Sequence, residues 1–116
     1  MILRGANDMP NYDYKSVSEF IKKQSLHGLS TRFIIDCAHG NSQKKHQQQE
    51  KVFNSILNQK KTNPLIMGMM IESNLKGGNI LSITDPCLDW DSTENLIVDA
   101  YKIMENHLKN TLNLVN

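Results

Sequence analysis

A parallel α/β fold is what this sequence predicts, and three observations predict it. Short apolar runs alternate with stretches whose apolar residues fall at helical spacing. The runs are continuously apolar rather than alternating, as in strands that are covered on both faces. Polar groups follow the runs, at the C-terminal strand tips where parallel α/β proteins gather their active sites.

The elements follow in order. Met1-Ile2-Leu3 reads as the end of a strand that passes at once into Arg4-Gly5, with no room upstream for the rest of it. The chain is therefore expected to be the C-terminal part of something larger, as a fragment or the product of a split gene. After a loop with Pro10 and Asn11, the spacing of Val17, Phe20 and Ile21 predicts a helix that closes near His27-Gly28, where glycine accepts the left-handed cap. Arg32 to Ala38, short and rich in β-branched and aromatic residues, is the second strand. A polar segment from Ser42 to Glu50 leads into a second helix whose buried stripe is Val52, Phe53, Ile56 and Leu57.

Asn63-Pro64 ends that connection, and Leu65 to Ile71 forms the third strand. Lys76-Gly77-Gly78-Asn79 predicts a turn, and Asp91-Ser92-Thr93-Glu94 an N-cap with its glutamate three residues on. Leu96, Ile97, Ala100, Tyr101, Met104 and Leu108 trace the buried face of the last helix. The result is three βα units with right-handed parallel crossovers. Such a sheet has two open edges, which call for further strands or a covering chain.

Bulk properties narrow the function classes. At 116 residues, 39% hydrophobic and 22% charged, the chain fits one soluble, globular domain over 1–116. A net charge of +1 and a pI near 7.8 argue for neither nucleic acid nor an anionic membrane as the main partner. Cys37 and Cys87 lack the spacing of a zinc knuckle or a disulfide framework, which favours a reducing compartment and, by default, the cytoplasm. No apolar stretch approaches the ~18 residues of a membrane span.

The candidate chemistry lies at the strand ends. Leu65 to Ile71 stops at Glu72, Phe33-Ile34-Ile35 leads through Asp36 and Cys37 to His39, and Asp85 follows Ser82-Ile83-Thr84. One imidazole and two carboxylates suit a divalent first-row metal that keeps open positions for substrate. The competing reading is structural: His39 ties down the Gly40-Asn41-Ser42 turn, while Glu72 and Asp85 cap helices or pair with lysines. Arg4 either clamps a phosphate or carboxylate bidentately or pairs with Asp36 or Asp8. Cys37, two residues before His39, is either a thiolate ligand on the same face or plain packing, and Cys87 is read as core beside Trp90.

Taken together, several motifs resemble the type I 3-deoxy-7-phosphoheptulonate (DAHP) synthases over essentially the whole chain. They are Ile2-Leu3-Arg4-Gly5, Pro10-Asn11-Tyr12, Asp36 to Ser42 with Lys44 and Gln49, Met70 to Leu75, and Ser82-Ile83-Thr84-Asp85 with Cys87 and Trp90. The resemblance implies a partial TIM (β/α)8 barrel, its three C-terminal βα units, with the N-terminal barrel half absent. It implies a metal-dependent transferase that condenses phosphoenolpyruvate with erythrose 4-phosphate, the first step toward chorismate and the aromatic amino acids. His39, Glu72 and Asp85 match three of the family's four metal ligands, for manganese, iron or a similar ion. His39 can also lie close to the substrate, and Arg4 matches an arginine that grips the phosphoenolpyruvate phosphate.

The family is homo-oligomeric, and a separate N-terminal barrel half is a further expected partner. Departures accompany the match. The family's fourth ligand is a cysteine that neither Cys37 nor Cys87 matches; Ala6 and Ala38 replace a glycine and a serine. Gly77 to Ile83 shortens a longer loop and so bears on where Asp85 sits. The alternative is a non-catalytic truncated remnant or partner-binding fragment. A different metal-dependent aldol-type enzyme on the same barrel is argued against by the Ile2 to Gly5 and Ser82 to Asp85 motifs.

Overall fold

The computed structural model describes residues 1–6, 9–78 and 86–115. Three strands, β1 (Ile2–Leu3), β2 (Phe33–Asp36) and β3 (Ile66–Met70), form a parallel sheet in the order β1-β2-β3. Leu3 lies opposite Ile35, which lies opposite Met69; the register between β2 and β3 shifts once, between Phe33 and Ile34. The connections are α1 (Tyr14–Leu26) between β1 and β2, then a single turn, α2 (His39–Ser42), and α3 (His46–Lys60) before β3. This is the parallel α/β arrangement that the apolar runs predict.

Local chemistry sets the helix limits. Asp13 caps α1: its Oδ1 accepts the Ser16 N–H at 3.0 Å and its Oδ2 the Ser16 hydroxyl at 2.6 Å. These bonds hold its carboxyl below the usual carboxylate range. At the other end Gly28 has φ +65°, and the Leu29 N–H reaches the Gln24 carbonyl at 2.9 Å, closing a Schellman turn where the sequence places it.

The core lies between one sheet face and the helices. Leu3, Phe33, Ile35 and Ile66 from the sheet meet Val17 of α1 and Val52, Phe53, Ile56 and Leu57 of α3. Phe20 and Phe33 meet edge to face, ring centroids 5.0 Å apart. Burying each of the largest side chains contributes about 1.5–3 kcal/mol. Strand alternation turns Ile2 and Met70 to the other face, where they are 48% and 42% exposed.

The structure revises three expectations downstream of β3. Lys76–Gly78, expected as a turn, is a strand, β4, antiparallel to β5 (Cys87–Asp89). Its glycines look unlike a strand, but Gly77 has φ +75° and lies so close to Asp89 that a Cβ would come within 3.2 Å of it. Leu88 also bridges Ser73 in parallel, its N–H donating to the Glu72 carbonyl at 2.9 Å, so β5 continues the polar edge beyond β3.

The last helix, α4 (Trp90–Val115), begins one residue before the expected cap. Asp89, not Asp91, accepts the Ser92 N–H, at 2.7 Å. The Asp91-to-Glu94 signature is therefore spent inside the first turn, and Thr93 instead binds the Ser73 hydroxyl at 2.7 Å and the Asp89 carbonyl at 2.8 Å. Leu96 is buried, while Ile97, Tyr101 and Leu108 of the expected buried face are exposed. Among the described residues no helix is long and apolar enough to cross a membrane.

Candidate active site

The site starts where β2 ends. The Asp36 carboxylate, buried, turns toward the following residues: Oδ1 accepts the Ala38 N–H at 2.8 Å and Oδ2 faces His39 Nδ1 at 2.9 Å. His39 itself takes φ +53°, a left-handed conformation that costs an L residue about 1–2 kcal/mol. Its placement is over-determined by Asp36 and by the turn of α2 that follows. On its far side, His39 Nε2 lies 3.2 Å from Glu72 Oε1. Two of the three expected ligands thus meet at the tips of adjacent parallel strands, each partly open to solvent.

Three amide side chains hold the surrounding main chain. Asn41 donates to the carbonyls of Leu3 at 3.2 Å and Asp36 at 2.8 Å, while its Oδ1 accepts the Asn11 N–H at 2.7 Å. Asn11 in turn accepts the Gly5 N–H at 2.9 Å. Gly5 and Gly40 touch main chain to main chain: a Cβ on either would lie 2.6 Å from the other's carbonyl carbon. Gln49, fully buried on α3, accepts the Glu72 N–H at 2.9 Å and donates to the Glu72 carbonyl at 3.2 Å.

Other candidates fall differently. Arg4 is exposed beside this cluster, its carbonyl accepting the Asn41 N–H at 3.2 Å, and it forms no ion pair with Asp36. That disposes of the Asp36 pairing and leaves the Arg4 side chain exposed at a strand tip. Asp8 and Asp85 lie outside the described residues. Cys37 is packing: it is fully buried, and burial, then the Asp36 charge, pushes its thiol up to about 12, so it offers no thiolate at neutral pH. Cys87 is buried as expected, whereas Trp90 beside it is 53% exposed.

The donor set fits a divalent cation in kind. With the ring proton on Nδ1 toward Asp36, Nε2 presents a lone pair to the Glu72 carboxylate, and a proton or a cation is what reconciles two such acceptors at 3.2 Å. Imidazole and carboxylate together suit a first-row metal. Among the described residues, though, no three His, Cys, Asp or Glu side chains group as a metal centre. His39 and Glu72 form a pair.

Three residues that stand in the sequence motifs have no role there from their own chemistry. Asp36 reads as part of the His39 motif and as a partner for Arg4, although its place three residues before His39 suits a carboxylate that orients an imidazole. Gln49 carried a clear signal: it falls three, four and seven residues before Val52, Phe53 and Ile56, a polar residue on the apolar stripe. Asn41 carried none beyond its place in a turn.

Comparison with known proteins agrees with this geometry. The family described as "DAHP synthetase I family" matches residues 1–109. A phospho-2-dehydro-3-deoxyheptonate aldolase of Alternaria alternata is 39% identical over 113 residues, covering 85% of this chain and 30% of the relative. The Tyr-sensitive enzyme of that name from Salmonella typhimurium is 35% identical, covering 93% and 34%. The solved phospho-2-dehydro-3-deoxyheptonate aldolase of Francisella tularensis superposes with a TM-score of 0.77 at 36% identity, over 87% of this chain and 33% of that one. The chain thus spans about a third of the length of these relatives. With its strand tips, its sequence and its fold in agreement, the chain belongs to the DAHP synthetase I family.

Proposed function

We propose that this chain supplies part of the active site of a DAHP synthase, the enzyme that joins phosphoenolpyruvate to erythrose 4-phosphate in the first step of the shikimate pathway. In this reading residues 1–116 are the three C-terminal βα units of a (β/α)8 barrel. The remaining units come from a further stretch of chain or a separate barrel half. The exposed second face of the sheet, with Ile2 and Met70, supports an interior that further strands would enclose. The single observation that carries the reading is the His39 imidazole held between Asp36 and Glu72 at the tips of parallel strands.

The roles follow from the geometry. Arg4 presents five N–H donors at the end of β1 and grips the phosphate of phosphoenolpyruvate. Asp36 fixes the tautomer of His39, so that Nε2 is the atom aimed at the site. His39 and Glu72, joined by Asp85, would hold a divalent ion such as manganese or iron. That ion would supply polarisation of the aldehyde oxygen or of the attacking water. Beside such an ion, His39 would also help to orient the reacting groups. The enzyme works in the cytoplasm and as a homo-oligomer like its family. The intact Asp36, His39 and Glu72 arrangement favours this reading over a decayed remnant.

The test is complementation. The full chain is mixed or co-expressed with the missing barrel units of a relative, and DAHP formation is assayed with and without Mn²⁺. Metal-dependent product that His39→Ala abolishes supports the proposal. No product above background, with both pieces soluble and associated, contradicts it.

A further inference from the structure

A buried glutamine is an unusual occupant of an apolar helix stripe, because an amide without partners costs about 1–3 kcal/mol there. Gln49 is fully buried on α3 among Val52, Phe53 and Ile56, and every polar atom of its side chain is directed at the polar edge of the sheet. Its Oε1 accepts the Glu72 N–H at 2.9 Å; its Nε2 donates to the Glu72 carbonyl at 3.2 Å and lies 3.5 Å from the Pro86 carbonyl. The amide orientation is dictated by chemistry, since a backbone N–H only donates and a carbonyl only accepts.

In effect Gln49 acts as a strand partner of one residue. It occupies both the donor and the acceptor of the Glu72 peptide units at the point where β3 has already ended at Met70. Leu88 adds a second bond to the Glu72 carbonyl, at 2.9 Å. Glu72 is thus a loop residue whose main chain is pinned on both its N–H and its carbonyl from the helix layer, and its carboxylate is the one that faces His39 Nε2 at 3.2 Å. The geometry points to Gln49 as a positioning residue: it fixes the Glu72 backbone so that the carboxylate meets His39 and is ready to share a cation with it.

This rests on the reading of His39 and Glu72 as a ligand pair, and the test separates the two. In the full chain, the ¹⁵N resonances of the His39 imidazole are measured for the wild type, Glu72→Gln and Gln49→Met, and Mn²⁺ binding is titrated for each. Ile56→Val, a core change on the same helix, is the control for lost stability alone. Gln49→Met is expected to move the His39 Nε2 resonance in the direction of Glu72→Gln and to weaken Mn²⁺ binding about tenfold or more, with Ile56→Val doing neither.

An unchanged His39 resonance in folded Gln49→Met, with Mn²⁺ affinity within about twofold of wild type, overturns the inference. If Gln49→Met does not fold, Gln49→Glu, which keeps the acceptor for the Glu72 N–H and loses the donor to its carbonyl, carries the same measurement. Unfolding of both overturns a positioning role in favour of a purely structural one. A wild type that takes up no Mn²⁺ removes the ligand-pair reading, while the resonance still decides what Gln49 does.

Discussion

The two ends of the polar edge are held by different physics. At the tips of β1 and β2, the main chains of Gly5 and Gly40 touch, and Asn41 stitches Leu3, Asp36 and Asn11 together around that contact. At the tip of β3, no glycine pair among the described residues makes such a contact; a side chain from α3, Gln49, reaches across to pin Glu72, and the Leu88 N–H adds a hydrogen bond to its carbonyl. The first region is positioned by shape and has no room to relax. The second is positioned by hydrogen bonds and can give way without unfolding. Damage to the first should therefore appear as lost stability, and damage to the second as lost alignment of Glu72 with His39.

The largest effect tests the first region. Gly5 has φ +69° and a virtual Cβ 2.6 Å from the Gly40 carbonyl carbon, so Gly5→Ala adds backbone strain to overlap. Denaturant unfolding is expected to show a loss of about 3 kcal/mol. A loss under about 1 kcal/mol would mean that the loops separate freely, and the contrast between the regions would disappear.

Next comes Asn41→Asp, which preserves shape but turns an oxygen toward the carbonyls of Leu3 and Asp36. About 2 kcal/mol should be lost. If Asn41→Asp is as stable as the wild type, the Asn41 amide is not what joins the tips.

A smaller effect, at the N-cap of α1, calibrates them. Asp13 is exposed and its carboxyl is held below its ordinary value by the Ser16 bonds. A folded-state pKa below the unfolded one contributes stability that is present above about pH 4 and fades as pH falls through the folded value. Asp13→Ala should cost about 1 kcal/mol at neutral pH, an N-cap magnitude already small for so exposed a site, and the difference should shrink below pH 4. A pH-independent difference would show that the cap acts without its charge.

Cys37 should show no effect at all. With its thiol pushed up to about 12 and no exposed surface, roughly one molecule in ten thousand is thiolate at pH 8. Mass spectrometry after iodoacetamide treatment of the folded chain should find Cys37 unmodified; rapid alkylation would mean that the β2 tip opens.

The same contrast explains what the sequence reveals. The strands, their parallel order, and His39 and Glu72 at their tips are legible because apolar runs end abruptly at polar residues. β4 is not legible, because Lys76-Gly77-Gly78 has turn composition and forms a strand only against Asp89. The start of α4 was misplaced by a more familiar capping pattern, while Asp89, one residue before the helix, held the bond. Asn41 is invisible for a different reason. Its role depends on which loops meet in space, and Gly5 and Gly40 are 35 positions apart with nothing local to announce the contact. Asp85 lies outside the described residues.

The account stands or falls on His39 and Glu72 acting as one site. Calorimetric titration of the full chain with Mn²⁺, in the wild type, His39→Ala, Glu72→Gln and the double variant, tests this directly. One shared site predicts that each single substitution weakens binding about tenfold or more, and that the double variant loses far less than the product of the two. Binding that survives both single substitutions unchanged, or losses that simply multiply, would contradict it.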